Sequence, residues 1–212
     1  NMNESYWLSN PKEPLTGFPT IMGPAGSESV TMRTRLGHLM AQGRLDGTDG
    51  YGGNKATVDV VKQMVLNSRV HTAELFKAQA LPVVCASPTI TVARDPQTAE
   101  VFSPAKVVNV ALACSTLQAW NNTGTTDARG AHVWYEFWAR ASLLGAASLY
   151  SVPFSATDPV NTPRTLKTDA PGPLQQAFGA AVLRVQQSTY AENAVRGDYL
   201  FATRSGSKIP LY

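Results

Sequence analysis

Three histidines, two cysteines and a scatter of hydroxyls and carboxylates are the side chains of this 212-residue chain that could do chemistry. Nucleophilic catalysis needs a Ser or Cys within reach of a base that a third group orients. His38, His71 and His132 sit in no GxSxG, HExxH or Cys/His arrangement, so each is expected to be structural. The phosphate-cradling glycine motifs GxxxxGK(S/T) and GxGxxG do not occur, which leaves nucleotide-dependent classes without support. Cys85 and Cys114 lack the CxxC spacing or nearby His of a zinc or redox centre, and no residue cluster calls for a metal. Two readings of the pair stand: buried thiols in a reducing compartment, or a Cys85–Cys114 disulfide in an oxidising one. The disulfide is the expectation.

The elements that must position any site are mainly helical in the middle of the chain. Residues 1–31 are rich in Asn, Pro, Gly and Ser and read as strand and loop, and Met32 to Gln42 as a short helix. Five glycines between Gly43 and Gly53 read as a loop. Over 54–67, Val58, Val61, Met64 and Val65 make one apolar face, with Asn54 as N-cap. A second helix is expected from Thr72 to Ala80, stopped by Pro82, and a third from about Ala105 to Trp120, opened by Ser103-Pro104. Trp134, Phe137, Trp138 and Ala141 mark a helix over about 129–144, and Leu174, Phe178, Ala181 and Val185 another over about 173–188. These aromatic residues are expected in the core. Asp198 to Arg204 and Ser207 to Tyr212 alternate around Ser205-Gly206 as a β-hairpin. The fold class is α+β: 1–42 strand and loop, 54–188 mainly helical, 197–212 a closing β-hairpin. A lone hairpin is marginal in water, so the end strands are expected to pair with strands from another chain.

Composition narrows the function classes. Charged residues are 16% of the chain, below the usual ~25%. A net charge of +3 with no run of five like charges gives no footprint for nucleic acid or anionic lipid. So few charges point to extensive burial, within the chain or against a partner. The most apolar stretch, Ala139 to Phe154, is broken by Arg140 and Pro153 and is too short for a membrane helix. Residues 1–5 lack the basic and apolar regions of a signal peptide, so any such signal is expected upstream or already removed.

The opening carries the most specific pattern. Asn1-Met2-Asn3-Glu4-Ser5-Tyr6-Trp7-Leu8-Ser9-Asn10-Pro11, running into Pro14-Leu15-Thr16-Gly17, resembles the penicillin acylase-like N-terminal-nucleophile hydrolases, within them the acyl-homoserine lactone and aculeacin A acylase branch. The likeness continues in Arg33-Thr34-Arg35-Leu36-Gly37, Cys114 to Trp120, Arg129-Gly130-Ala131, Glu136-Phe137-Trp138, Val152-Pro153-Phe154, Asp158-Pro159, Thr162-Pro163-Arg164, Gly197-Asp198 and Lys208-Ile209-Pro210-Leu211. Only 43–102 match weakly.

The resemblance implies a C-terminal part of a β chain within an αββα four-layer sandwich completed by partner chains. It implies a precursor that cuts itself into α and β chains, whose new N-terminal Ser attacks the amide with its own α-amino group as base. This chain begins with Asn1, so the nucleophile is expected on a partner polypeptide. The family's oxyanion-hole Asn corresponds to Asn3, and the Arg that supports it to Arg35, with Arg33 as the alternative. Tyr6 and Trp7 would line the acyl pocket. No cofactor is implied; a structural calcium, where present, would be held outside this chain. Substrates would be N-acyl-homoserine lactones, with lipopeptides, penicillins or cephalosporins as alternatives, and a periplasmic or secreted location follows. The contrasting class is a non-catalytic binding or structural subunit that kept the scaffold.

Overall fold

The computed structural model describes residues 10–22 and 30–211. Asn3, Tyr6 and Trp7 therefore lie outside the described residues. The chain divides into two units: the first is Asn1–Leu66 with Val152–Arg164, the second Asn67–Ser151 with Thr165–Tyr212.

The first unit holds a 3-10 turn at Thr20–Met22, α1 (Met32–Asp46) and α2 (Val58–Leu66). Residues 10–22 contain no strand, contrary to the strand-and-loop reading of the opening. Thr31, in extended backbone, starts α1 by accepting the Thr34 N–H on its hydroxyl at 3.3 Å. Gly47 ends it in the left-handed region at φ +71°, where a Cβ would lie 2.9 Å from Gly53 O. The helix thus runs past Gln42 and takes Gly43 into its last turn, because the stop signal is the glycine that can turn left-handed and not the first glycine met. The cap of α2 also differs from expectation: Thr57 Oγ1, not Asn54, accepts the Val60 N–H at 3.3 Å. No residue of α2 is buried.

In the second unit the chain continues through α3 (His71–Val84), β1 (Thr89–Arg94), β2 (Val101–Asn109), α4 (Ala111–Ala119), α5 (Ala131–Ala141), a 3-10 turn at Ser142–Leu144 and α6 (Ala146–Leu149). Next come β3 (Tyr150–Val152) and β4 (Arg164–Leu166), at the two points where the chain passes between units, then α7 (Gly172–Gln186), α8 (Arg196–Tyr199), β5 (Phe201–Arg204) and β6 (Ser207–Pro210). The mixture is α+β. Pro82 does not stop α3; it sits within the last turn, and the helix ends two residues later.

The largest departure is at 101–109, expected as helix and found as strand. β2 pairs antiparallel with β1, Thr89 opposite Asn109 and Val92 opposite Lys106, with an irregularity between Val92 and Arg94. Pro104, read as a helix opener, follows a cis peptide bond inside β2. The β-branched residues Val101, Val107 and Val108 suit a strand, and pairing with 89–94 decides the matter. Only after Asn109, whose side chain accepts the Ala111 N–H at 2.9 Å, does α4 begin.

The core of this unit lies where α7 packs on α5 and β1. Trp134, Phe137, Phe178 and Phe76 are fully buried. Phe137 meets Trp134 and Phe178 edge-on, each pair at 5.4 Å between centroids, and half-buried Trp138 stacks on Phe76 at 4.9 Å. Trp134 Nε1 donates to Thr72 Oγ1 at 3.0 Å, satisfying its buried N–H. Cys85, at the end of α3, is joined to Cys114 of α4 by a disulfide. The hairpin turns at Ser205-Gly206, both at positive φ, with Arg204 opposite Ser207 and Phe201 opposite Pro210.

Gly179 sets the closeness of α7 to β1, since a Cβ there would fall 2.6 Å from Val92 Cγ2 and 2.8 Å from Ile90 Cγ2. Both neighbours are buried. Gly179→Val is expected to force helix and ladder apart at a cost of about 1–3 kcal/mol, read as a lowered unfolding midpoint in denaturant with little change in its slope.

Candidate functional site

Arg35 is the predicted site residue whose surroundings are described most fully. Its side chain is 1% exposed, in the first turns of α1. The guanidinium Nε donates to Val160 O at 2.7 Å and Nη1 to Pro163 O at 2.9 Å, and Nη1 also lies 3.6 Å from Met32 Sδ. A fixed planar fork of donors suits two carbonyls presented side by side. The segment that presents them orders itself: Thr162, 3% exposed, donates its hydroxyl to Asp158 O at 2.6 Å and accepts the Ser155 N–H at 2.8 Å. Asn161 donates to Asp158 Oδ1 at 2.6 Å, and the Thr162–Pro163 peptide is cis. Arg35 thus draws together three stretches singled out in the sequence: Arg33 to Gly37, Asp158-Pro159 and Thr162-Pro163-Arg164. Arg33, two residues away, is exposed.

A second buried arginine of the same unit escaped the sequence reading. Arg44, 5% exposed, donates through Nη2 to Gly52 O at 2.9 Å and to Gly53 O, and pairs with Asp49 at 3.3 Å. It pins the glycine-rich stretch back onto the end of α1. The signal for it was an arginine placed just before a run of glycines whose carbonyls lack side-chain cover.

His71 and His132 are held by structural contacts. His71 Nδ1 lies 3.2 Å from Glu74 Oε2, and Arg69 meets the same carboxylate through Nε at 2.6 Å and Nη2 at 2.9 Å. Burial alone would raise the Glu74 carboxyl, but hydrogen bonds and charge from His71 and Arg69 prevail and hold it at about 2. His132 meets Ala191 O through Nε2 at 2.9 Å and lies 4.7 Å from the Tyr199 ring. Burial pushes its imidazole below the ordinary range, against the pull of Ala191 O and Glu136.

The Glu74 cluster makes a pH prediction. Its carboxylate binds protons more weakly folded than unfolded, so its stabilising contribution is present above its ordinary 4.5 and is lost as pH falls towards about 2. Glu74→Gln is expected to flatten the fall of the melting temperature across that window and to lower stability near neutrality. Melting curves from pH 2 to 7 check it; parallel curves for both proteins would refute it.

Among the clefts on the second unit, two hold groups that could do chemistry. One, of about 520 Å³, is lined by Ser115, Thr116, Trp120, Asn121, Asp127 and Arg129 among others. The other, of about 360 Å³, is lined by His132, Glu136, Tyr190 and Tyr199 among others. In the second, Ser188 donates its hydroxyl to Val185 O, so it is not a nucleophile activated by His132. Among the described residues no group of three or more His, Cys, Asp and Glu is placed to hold a metal ion, and no helix is long and apolar enough to cross a membrane.

What the described residues provide is a scaffold: a buried arginine fork in the first unit and a disulfide-tied helical core in the second. That combination matches a known class. Residues 3–205 fit the penicillin amidase family, and the chain belongs to it. Over 163 residues it is 34% identical to aculeacin-A acylase of Actinoplanes utahensis, a match covering 77% of this chain and 19% of that protein. It is 25% identical to the acyl-homoserine lactone acylase PvdQ of Pseudomonas savastanoi pv. phaseolicola, over 99% of this chain and 24% of the relative. The PvdQ of Pseudomonas syringae pv. syringae is 27% identical, with the same coverage of each. The chain therefore spans about a fifth to a quarter of the length of the relatives it matches.

Proposed function

We propose that this chain is the C-terminal part of the β chain of an N-terminal-nucleophile acylase that removes the acyl group from N-acyl-homoserine lactones. The observation that carries the reading is the family match over 3–205, which runs through the Asn3 motif, together with relatives that are all named acylases. In this reading the αββα sandwich and the nucleophilic Ser are completed by the rest of a self-processed precursor.

The Ser hydroxyl attacks the acyl carbonyl while its own α-amino group takes the proton. The Asn3 side-chain amide and a backbone N–H stabilise the oxyanion. Collapse of the tetrahedral species breaks the C–N bond, and the amine leaves with the proton. Water then hydrolyses the acyl-enzyme. Arg35 is a positioning residue in this reading: its bonds to the carbonyls of Val160 and Pro163 fix α1 on the 152–164 segment. Tyr6 and Trp7 contribute to the acyl pocket. The disulfide supports a periplasmic or secreted setting.

A lipopeptide substrate is the second reading, favoured by the higher identity to aculeacin-A acylase; penicillins and cephalosporins come after it. The complete precursor, expressed and assayed on a panel of N-acyl-homoserine lactones, an acylated lipopeptide and penicillins, separates these. Release of homoserine lactone with free fatty acid is the expected result. Hydrolysis of the lipopeptide alone moves the assignment to that class, and a processed, folded protein inert on every amide would establish a non-catalytic subunit.

A further inference from the structure

We propose that the apolar face of α2 is a docking surface for the remainder of the acylase polypeptide, the part of the protein that this chain does not span. The inference rests on the acylase reading above and adds to it the place where assembly occurs.

The first unit is inverted in polarity. Among its described residues the large buried side chains are those of Arg35 and Arg44, with Thr34 and Thr162 beside them in the buried class, and its buried apolar residues are Val30, Pro159 and Pro163. Apolar side chains stand outside instead: Val58 and Val65 are each 70% exposed and Val61 is 45% exposed. On a helix of 3.6 residues per turn these three fall at i, i+3 and i+7, one stripe, with half-buried Met64 beside it. Asp59 and Gln63 take the other side, with Lys62 at the margin.

A nine-residue helix is too short to persist on its own propensity and depends on packing its apolar face. In α2 that face is exposed. Scattered apolar residues on a surface are ordinary, whereas a contiguous stripe at helical spacing marks a contact. The occupant follows from what is missing. The chain matches its family continuously over 3–205 yet spans only 19–24% of the relatives' length, so most of the folded protein that could bury this stripe lies outside it. The stripe is uncharged, and the polar residues of α2 are one Asp, one Lys and one Gln, with none of the basic bias that seats a helix on anionic lipid.

The test uses the complete, processed acylase. Val61→Cys, Val65→Cys and, as an exposed reference at the polar margin, Lys62→Cys are introduced one at a time. Each native enzyme is pulsed with a maleimide, quenched and unfolded, and labelling is assigned to the residue by peptide mass spectrometry. The stripe thiols are expected to stay unlabelled in the native enzyme and to label fully once unfolded, while the Lys62→Cys thiol labels natively. If both stripe variants fail to assemble while Lys62→Cys assembles, the seat is equally supported. Native labelling of the stripe at the Lys62→Cys rate overturns the proposal. So does protection that vanishes on dilution as the mass halves, which would assign a second copy, or protection that appears only with anionic vesicles. Amide hydrolysis in the same preparations keeps the two readings apart: an active enzyme with a labelled stripe loses only the docking surface, whereas a preparation of the unsubstituted enzyme that cleaves no amide loses the acylase reading itself.

Discussion

Replacing Arg140 with methionine should destabilise the protein by about 3–5 kcal/mol, because it strands a buried carboxylate. Arg140 is 1% exposed in α5 and grips Asp95 through two parallel bonds, Nε to Oδ1 at 3.0 Å and Nη2 to Oδ2 at 2.8 Å. Asp95, itself 5% exposed, also accepts the Gln97 N–H at 2.8 Å and so shapes the turn between β1 and β2. The pair thereby fastens α5 to that turn. Glu136 makes a third contact at 2.6 Å, but its side chain is 39% exposed and can turn to solvent once the arginine is gone. Asp95 has no such escape. Burial alone would raise its carboxyl, but the Arg140 hydrogen bonds and charge and the turn N–H groups hold it below the ordinary range. Stability drawn from this pair is therefore present at neutral pH and lost as pH falls below the ordinary aspartate value of 3.8. In Arg140→Met the stranded carboxylate instead favours its neutral form, so the loss should shrink as pH falls. At this chain length the loss corresponds to about 6–20 °C in melting temperature. Adding Asp95→Asn should recover much of it, because the double variant buries no unpaired charge. A double variant no more stable than Arg140→Met would show that the arginine acts by packing alone.

The same residue shows what the sequence makes legible. Trp134, Phe137 and Ala141 recur at helical spacing, so α5 and its core face can be read directly; Arg140 falls between them and reads as an interruption. Its partner is 45 residues away in a turn that no local pattern announces. β2 fails to be read for a related reason: Val107 to Leu112 fits either period, and the antiparallel partner at 89–94 decides between them. α1 has no apolar stripe because the residues it buries are Thr34, Arg35 and Arg44, and the two arginines are buried against carbonyls supplied by neighbouring loops. Hydropathy cannot separate Arg35 from Arg33; the carbonyls of Val160 and Pro163 can. The turn of the hairpin was legible because Ser205-Gly206 supplies the two positive-φ residues it requires, but its first arm, expected from Asp198, begins only at Phe201 because Arg196–Tyr199 forms α8. α2 was legible as an amphipathic helix, but not as one that leaves its apolar face open.

Asn3→Ala, made in the complete acylase, is expected to lower turnover by ~10²–10³ while leaving KM and the melting temperature nearly unchanged. A planar amide carbonyl draws little from a donor placed for the tetrahedral oxyanion, so in the proposed mechanism a bond to Asn3 would strengthen as the Ser oxygen adds, and its loss would fall on the transition state. A fall of that size is about 2.7–4 kcal/mol, the contribution of one preorganised donor in a water-poor site. Asn3→Asp separates donation from shape: it keeps the size of the side chain, replaces the N–H donors with a carboxylate at neutral pH, and should be at least as inactive as the alanine variant. The folding readout guards against the alternative role of Asn3 as a turn residue, which would lower the melting temperature and raise KM together. Turnover unchanged in Asn3→Ala, or lost only in step with unfolding, removes Asn3 from the mechanism and moves the oxyanion donor to the polypeptide that this chain does not span.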